Sequence, residues 1–204
     1  MVNHTGSVVM ARSICIINGH PDGEPERFVA ALCEAYAHGA VAGGHAVSRI
    51  DIAGLPIDFL SSEAEFAVAP GAEIVAAQEA ILAADHLVLA YPLWLGTIPA
   101  RLKAFLEQIG RAGFLLDTGG DSHKWPVRRM RGKSVRIIVT MGMPGFAYRL
   151  LFGAHSLKGL EAGIFRMSGF SPVRHTIFGG VGACGPDGRQ AMLDRVERLG
   201  RQAR

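Results

Sequence analysis

The sequence predicts an α/β fold in which helices cover both faces of a doubly wound, five-stranded parallel sheet. Apolar runs of strand length alternate along the chain with segments of helical period, as in sheets of this kind. Three runs are almost uninterrupted and predict strands buried on both faces: residues 14–17, 87–91 and, apart from Arg136, 135–139. Because 49% of the 204 residues are hydrophobic and 19% are charged, a disordered chain is excluded.

Two further strands have the composition of sheet edges. The segment Ala46–Asp51 is half polar, and Val173–Phe178 is interrupted by Arg174 and His175. Placing these two at the edges gives the flavodoxin-like strand order 2-1-3-4-5. Ligands of such sheets bind beyond the carboxyl ends of the strands, where the winding reverses. The loops after strands one, three and four are therefore the expected site.

Five segments have the apolar spacing of helices. Their predicted buried stripes are Phe28, Leu32, Ala35, Tyr36 and Gly39; Ile74, Gln78, Ile81 and Leu82; Leu102, Phe105, Leu106 and Ile109; Leu157, Leu160, Ile164 and Met167; and Met192, Val196 and Leu199. We expect Thr97 to cap the third helix, with Pro99 in its first turn. Ser156 is the expected cap of the fourth helix, and Gly169 its expected end.

Composition and motif spacing limit the class of protein. We expect residues 1–12 to be a flexible leader and 13–204 a single cytoplasmic domain. The longest uncharged run in the third strand region, residues 87–100, is shorter than the roughly 20 residues that span a membrane. The three cysteines and eight histidines lack metal-ligand spacing, so we expect no metal and no disulfide. A net charge of +3 does not call for nucleic acid, and the basic run 124–133 is interpreted as a solvated connection.

The loop after strand one has features of an anion-binding site. Backbone N–H groups at a helix N-terminus attract anions, and His20 and Arg27 could add donors. The loop has neither the P-loop pattern nor the G-x-G-x-x-G pattern. On spacing alone, a phosphate site and an ordinary turn both remain open.

The loops after strands three and four offer surfaces for a flat ligand. Trp94 stands in a loop bounded by glycine and prolines, where it is either a lid on the core or a wall for a ring. Gly142 and Gly145 follow strand four, and glycine permits close backbone approach. This loop continues into Tyr148 and His155. Together the three loops predict a ligand site more specifically than any one alone.

These loops resemble those of the flavodoxin-like NAD(P)H dehydrogenase (quinone) family. The similarity extends from about Ile14 to Arg198. The residues that carry it are N-G-H-P at 18–21 with Phe28, Y-P-L-W-x-G-x-x-P-A at 91–100 followed by Leu102-Lys103, Gly113-Phe114, and T-M-G at 140–142 with Tyr148 and His155.

The resemblance implies a homodimer with its active sites at the subunit interface. It also implies a flavin cofactor, FAD in preference to FMN, with NAD(P)H as co-substrate. In a ping-pong reaction, hydride passes from nicotinamide to flavin N5 and then to a quinone-type acceptor. The implied cofactor-binding residues are His20, Phe28, Pro92, Leu93, Trp94, Leu95, Thr140, Met141 and Gly142, with Met143 as a neighbouring apolar wall.

Tyr148 and His155 are the catalytic residues that the resemblance implies. Flavin reduction places negative charge at N1 and O2, and a phenol and an imidazole at that edge would stabilise it. The hydride chemistry belongs to the cofactor.

Two positions depart from the family pattern. Arg27 stands where many relatives have Ser or Thr, and Trp94-Leu95 replaces two adjacent aromatics. Arg27 is therefore a predicted substitute phosphate contact. Two alternative functions stay open: a flavin-binding regulatory subunit of a transport system, and a flavodoxin-type electron carrier.

Overall fold

The main sheet of this computed structural model, which describes residues 10–117 and 125–204, is parallel and has the predicted strand order. Its strands, in chain order, are β1 (Ser13–Asn18), β2 (Ala46–Asp51), β3 (His86–Pro92), β6 (Ser134–Thr140) and β7 (Val173–Phe178), while β4 (Leu116–Asp117) and β5 (Val127–Arg128) form a separate antiparallel pair. The order β2-β1-β3-β6-β7 is the flavodoxin-like order 2-1-3-4-5. The fold class is therefore confirmed.

Six α-helices accompany the strands in the described part of the chain. They are α1 (Phe28–Ala42), α2 (Ala72–Ala83), α3 (Ala100–Ile109), α4 (Gly145–Leu151), α5 (His155–Gly159) and α6 (Pro186–Arg201). A π-helical segment, Leu160–Arg166, continues α5. Most of the predicted leader, residues 1–9, lies outside the described residues, as does Lys124 of the basic run. Arg128, Arg129 and Arg131 of that run are exposed.

Each central strand is buried, and so is Arg136, the one charged residue in the three apolar runs. All seven residues of β6 are buried, including Arg136. The Arg136 guanidinium donates from Nη1 to Thr176 Oγ1 over 2.8 Å and from Nε to the carbonyl of Arg204. Burial lowers the pKa of Arg136. A charged residue in a buried strand is thus accommodated by hydrogen bonds rather than by exposure.

Two glycines allow α1 and α6 to touch on one face of the sheet. A Cβ at Gly39 would lie 2.0 Å from the carbonyl oxygen of Glu197, and one at Gly200 would lie 2.1 Å from that of Tyr36. The two helix backbones are therefore in direct contact, with Leu32 and Val196 buried beneath. The second apolar core lies on the other face, under α2, α3 and α5.

Several predicted helix details are wrong. Helix α3 begins at Ala100 with Pro99 at its cap, whereas the backbone of Thr97 pairs with Trp94. Ala154 caps α5, so that Ser156 lies inside the helix. The predicted fourth helix is divided between α5 and the π-helical segment.

Two further predictions concern single residues near helix ends, and only the second is confirmed. Leu82, which was predicted to be buried, is 55% exposed near the end of α2. Gly169 does end the helical region, with a φ of +107°, a conformation that favours glycine. Helix α4 and the β4–β5 pair have no counterpart among the predicted elements.

Candidate functional site

The three predicted loops meet at the carboxyl edge of the sheet. The N–H of Gly19 donates to the carbonyl of Ala90 over 2.7 Å, and the N–H of Leu93 donates to the carbonyl of Thr140 over 2.7 Å. A Cβ at Gly19 would lie 2.9 Å from the Ala90 oxygen, which is closer than a side chain tolerates. Glycine at this position therefore lets the first loop lie against β3, and backbone bonds hold the three loops in one crevice.

The first loop is organised around Asp22, a residue that sequence reasoning did not single out. His20 Nδ1 lies 3.0 Å from the backbone nitrogen of Asp22 and 3.2 Å from its carbonyl oxygen, so the Asp22 backbone holds the ring. Burial lowers the pKa of His20 and so favours the neutral imidazole. The Asp22 carboxylate accepts a 2.6 Å bond from Nε of Arg27. The Arg27 guanidinium, with its side chain 52% exposed, is thus already paired at the crevice.

Helix α1 begins at Phe28 with its first turn open to the crevice loop. Arg27 occupies the cap position without a side-chain cap bond, and the first turn holds no acidic residue. The first N–H groups of a helix have no intrahelical partner and carry the positive end of the helix dipole. This N-terminus therefore fits a phosphate, as the resemblance implies.

The β3 loop carries an exposed apolar tip. Trp94 and Thr97 pair through their backbones, and the two residues between them, Leu95 and Gly96, have φ values of +48° and +80°. Positive φ at both central positions is the requirement of a type I′ turn, which costs a leucine energy. Leu95 is fully exposed, and the Trp94 ring stands edge-on to the His20 ring with centroids 5.9 Å apart. The loops after β1 and β3 therefore share one wall.

Backbone hydrogen bonds with β7 and the residues after it hold the β6 loop, whereas the backbone of Gly142 in this loop is open. The N–H of Met141 donates to the carbonyl of Phe178 over 2.9 Å, and that of Gly180 donates to Met143 over 3.0 Å. A Cβ at Gly179 would lie 2.2 Å from the nitrogen of Gly145, whereas one at Gly142 would meet nothing within 4 Å. This loop therefore leaves open backbone at Gly142, as a planar ring requires.

Tyr148 and His155 lie on consecutive helices, α4 and α5, but differ in environment. Tyr148 is fully buried, its hydroxyl lies 2.8 Å from Ser156 Oγ, and its ring stacks on Phe152. His155 is exposed, and its ring covers Gly153. The hydrogen-bond partner of the Tyr148 phenol is thus Ser156, which sequence reasoning assigned only a capping role.

A cavity of about 900 Å³ lies apart from the crevice. Its lining comes from residues 63–67, 103–117 and 163–168, and includes Phe66, Leu106 and Ile164. None of the predicted site residues contributes to it. The crevice is the better candidate because the predicted residues converge there.

Within residues 10–117 and 125–204, no group of three or more His, Cys, Asp or Glu side chains is placed to hold a metal ion. The helices in the same ranges are too short or too polar to cross a membrane.

Comparison with known proteins places this geometry in a family. A family model described as flavodoxin-like fold matches residues 12–202. The rat NAD(P)H dehydrogenase [quinone] 1 is 30% identical over 160 residues, which are 72% of this chain and 57% of the relative. An uncharacterized NAD(P)H oxidoreductase of Haemophilus influenzae is 31% identical over 116 residues, 56% of this chain and 55% of the relative. The chain thus spans little more than half the length of these curated relatives.

Solved structures agree on the fold. The NAD(P)H:quinone oxidoreductase of Methanothermobacter marburgensis superposes with a TM-score of 0.80 at 20% identity, covering 96% of this chain and all of the other. Smu.1420 of Streptococcus mutans gives 0.78 at 26%, with coverages of 93% and 98%. An FMN-dependent NADH-azoreductase of Bacillus anthracis in complex with FMN gives 0.71 at 17%, with coverages of 94% and 98%. The resemblance to the NAD(P)H dehydrogenase (quinone) family is confirmed, and the chain belongs to the family of flavodoxin-like fold.

Proposed function

We propose that this protein is a flavin-dependent NAD(P)H oxidoreductase that reduces a quinone-type acceptor in a ping-pong reaction. The observation that carries the proposal is the meeting of three loops around one crevice, which offers an uncapped helix N-terminus, an aromatic wall and open backbone at Gly142. When bound, the flavin would supply the hydride chemistry between nicotinamide and the acceptor.

The first loop binds the phosphate end of the cofactor in this proposal. The N–H groups at the start of α1 face the anion, and His20 donates to it from Nε2 in the tautomer whose Nδ1 accepts from the Asp22 N–H. Arg27 adds a positive charge, and its hydrogen bond to the Asp22 carboxylate fixes the position of the guanidinium. Charge-assisted bonds of this kind are stronger than neutral ones, so the loop supplies much of the binding energy.

The other two loops hold the ring and exclude water from it. Trp94 and Leu95 present exposed apolar surface, and the β6 loop with its open backbone at Gly142 lies next to them, joined by the bond from the Leu93 N–H to the Thr140 carbonyl. Tyr148 follows the β6 loop in the chain, and its buried hydroxyl, 2.8 Å from Ser156 Oγ, holds a proton in this proposal. A donor in such a dry, prearranged position stabilises negative charge that develops during reduction.

FMN is the flavin that we propose, in place of the FAD expected from the sequence. Relatives from Vibrio vulnificus and Alteromonas mediterranea, about 30% identical over roughly half of this chain, are named FMN-dependent NADH:quinone oxidoreductases. The Bacillus anthracis structure also contains FMN. These names favour FMN, and they favour NADH as the donor.

We infer that two copies of the chain associate through the apolar surface beside the crevice. On α4, Phe146, Leu150 and Leu151 are between 68% and 80% exposed, and Leu95 is fully exposed. Exposed apolar patches of this kind mark interaction surfaces. A second copy that covered this surface would also close the crevice against water.

The flavin itself provides the test. The purified protein should be yellow, and its denaturation should release a compound with the mass of FMN. Without oxygen, NADH should bleach the flavin, and menadione added after removal of the nicotinamide should restore the colour. Colourless protein that takes up neither FMN nor FAD would refute the function, whereas release of FAD would refute only the choice of flavin.

A further inference from the structure

Asn18, the last residue of β1, is a buried amide to which the proposed function gives no role. It stands in the N-G-H-P motif at 18–21, directly before the loop that borders the crevice. Only 5% of the residue is exposed, and a buried amide is costly unless its donor and its acceptor are both bonded. Its two partners therefore indicate what the side chain does.

The amide oxygen of Asn18 holds the start of the crevice loop. Asn18 Oδ1 accepts from the backbone N–H of His20 over 3.2 Å. A bond from a side-chain oxygen to the N–H two residues later closes a turn of the Asx type. The N–H of the intervening Gly19 is bonded separately, to the carbonyl of Ala90 on β3. The position of the His20 backbone thus depends on the Asn18 side chain, whereas that of Gly19 depends on the sheet.

The amide nitrogen of Asn18 is fixed by a carboxylate on the neighbouring strand. Nδ2 donates to Oδ1 of Asp51 over 2.9 Å, and the two residues pair in register at the ends of β1 and β2. A carboxylate accepts hydrogen bonds and cannot donate them. The opposite orientation of the amide would place its oxygen against the Asp51 carboxylate, which is unfavourable. Asp51 therefore keeps the Asn18 oxygen turned toward His20.

Two arginines hold Asp51 and the segment that follows it. Arg49 donates to both carboxylate oxygens of Asp51, from Nε over 2.8 Å and from Nη2 over 2.9 Å. The third nitrogen of Arg49, Nη1, pairs with Glu34 on α1. Arg101 on α3 donates to the carbonyls of residues 52, 53 and 55. The Asp51 carboxylate is therefore fixed in place before any ligand binds.

The contacts of the His20 ring connect these bonds with the crevice. The Asp22 backbone holds the ring at Nδ1, and the Trp94 ring stands edge-on to it with centroids 5.9 Å apart. With its backbone held by Asn18, His20 is thus fixed at both ends. A hydrogen-bond donor serves an anion best when its position is set in advance, because ordering it during binding then costs little free energy.

The charge on Asp51 explains why position 18 carries an amide and not a carboxylate. Aspartate forms the same type of turn, since the Asp22 carboxylate accepts from the N–H of Glu24 over 3.0 Å in this same loop. At position 18, however, a carboxylate would meet that of Asp51 within hydrogen-bond distance, and two carboxylates so close cannot both stay ionised. The two strand ends together therefore require one amide and one acid.

We propose that Asn18 is a positioning residue for the flavin phosphate: held in one orientation by Asp51, its amide oxygen fixes the His20 N–H and so places the His20 ring where it donates to the anion. The proposal rests on the proposed function, in which His20 binds the phosphate end of the cofactor. Asn18 acts through His20, and Asp51 acts through Asn18, so that the end of β2 contributes to a site in the loop after β1.

The first test uses the apoprotein and measures hydrogen exchange of single backbone amides by NMR. In the wild type, the Gly19 and His20 N–H groups should both be protected. Asn18→Ala removes the acceptor of His20 alone, so we expect the protection of His20 to fall about tenfold, as for loss of one hydrogen bond. Gly19, bonded to Ala90, should keep its protection. Unchanged protection of His20, or an equal fall at both amides, would overturn the proposal.

A second pair of variants tests the role of Asp51 by the same exchange measurement at pH 7.5. Asn18→Asp places two carboxylates together, so the His20 amide should lose protection. Adding Asp51→Asn restores one amide and one acid with their positions exchanged, and the double variant should regain most of the protection. A double variant no better than Asn18→Asp would contradict the role of Asp51. These variants also decide the question if Asn18→Ala does not fold.

The third test uses free flavins and separates the phosphate from the ring. Riboflavin lacks the phosphate of FMN, so a residue that acts at the phosphate affects the binding of FMN alone. In fluorescence titrations, Asn18→Ala should raise the dissociation constant of FMN about tenfold and leave that of riboflavin unchanged. The matched control is Gln108→Ala, which truncates another buried amide, bonded to the Asp58 carbonyl over 2.9 Å. It should bind both flavins as the wild type does.

The outcomes separate this role of Asn18 from the proposed function. Equal weakening of FMN and riboflavin would indicate general damage to the crevice and would contradict a role at the phosphate. If the protein binds neither flavin, the proposed function fails and the role at the phosphate fails with it. A loss of protection confined to His20 would then still establish that Asn18 positions the loop.

Discussion

Tyr148 is the residue on which the proposed chemistry depends most, and its hydroxyl has a defined partner. Because Tyr148→Phe keeps the ring in the core and removes only the bond to Ser156, we expect flavin reduction to slow by up to about 100-fold, the effect of losing an oxyanion-type donor. Stopped-flow absorbance with NADH measures it. Tyr36→Phe, which makes the same change on the other face, should leave the rate unchanged. A wild-type rate in Tyr148→Phe would remove this phenol from the mechanism.

The burial of His86 leads to a prediction about stability rather than activity. It is buried, its Nδ1 lies 2.7 Å from Ser134 Oγ, and burial lowers its pKa to about 3. Between pH 6.5 and 3, the unfolded chain binds a proton that the folded chain rejects, so acid lowers the free energy of unfolding. At pH 5 this one group should account for a loss of about 2 kcal/mol.

Urea unfolding at pH 7.5 and pH 5 tests this expectation. In His86→Gln, which cannot titrate, the difference in unfolding free energy between the two pH values should shrink by that amount. The same pH dependence in wild type and variant would contradict the assignment to His86.

At the scale of single elements, the contact between α1 and α6 depends on glycine. Alanine usually stabilises a helix interior by up to about 1 kcal/mol relative to glycine. At Gly39 the added methyl would meet the Glu197 backbone at 2.0 Å, so we expect Gly39→Ala to lower the free energy of unfolding by about 1–3 kcal/mol. Gly159→Ala in α5, where a Cβ meets nothing within 4 Å, is the control. Urea denaturation of both variants should give opposite signs.

The N-terminus of α1 carries a prediction about cofactor retention. Loss of one charge-assisted hydrogen bond costs about 1.5–3 kcal/mol, so Arg27→Ala should weaken flavin binding about tenfold or more. The ratio of flavin to protein absorbance after dialysis measures this loss. Arg201→Ala removes another half-exposed, ion-paired arginine and should retain flavin. Equal retention in both variants would show that Arg27 does not contact the phosphate.

The sequence predicted strands better than it predicted side-chain partners. Burial on both faces leaves a continuous apolar run, so the central strands were placed to within one or two residues. The pairing of Arg27 with Asp22 depends on the path of an irregular loop, which leaves no periodic signal. The π-helical segment was also missed, because its apolar spacing resembles that of an α-helix. Ser156 looked like a cap because a hydroxyl before an apolar stripe is typical of one.

At the scale of the whole molecule, the exposed side chains of α4 predict a dimer. Light scattering of the wild-type protein should give twice the mass of one chain. Leu151→Glu, which puts a charge on a side chain that is 80% exposed, should give monomers that retain less flavin. Val41→Glu, at an exposed position of α1, should leave the mass unchanged. A monomeric wild type with full flavin content would contradict the inferred association.

The strand order followed from the contrast between apolar and half-polar strands, and the crevice at the carboxyl edge followed from that order, because parallel strands place their following loops at one edge. The surface that a partner covers did not follow from topology. Helix α4 was not among the predicted elements, and whether its leucines face the core or the solvent depends on tertiary packing.

The contact between Gly179 and Gly145 has a consequence for how mutations in this protein would be interpreted. Gly179 directly follows the edge strand β7 and is not among the residues predicted to form the site. Its lack of a side chain lets the chain after β7 press against the β6 loop. A genetic screen for lost activity would therefore recover Gly179 alongside residues that line the crevice. Its variants would fold and yet resemble active-site mutants, because the damage would pass through one backbone contact.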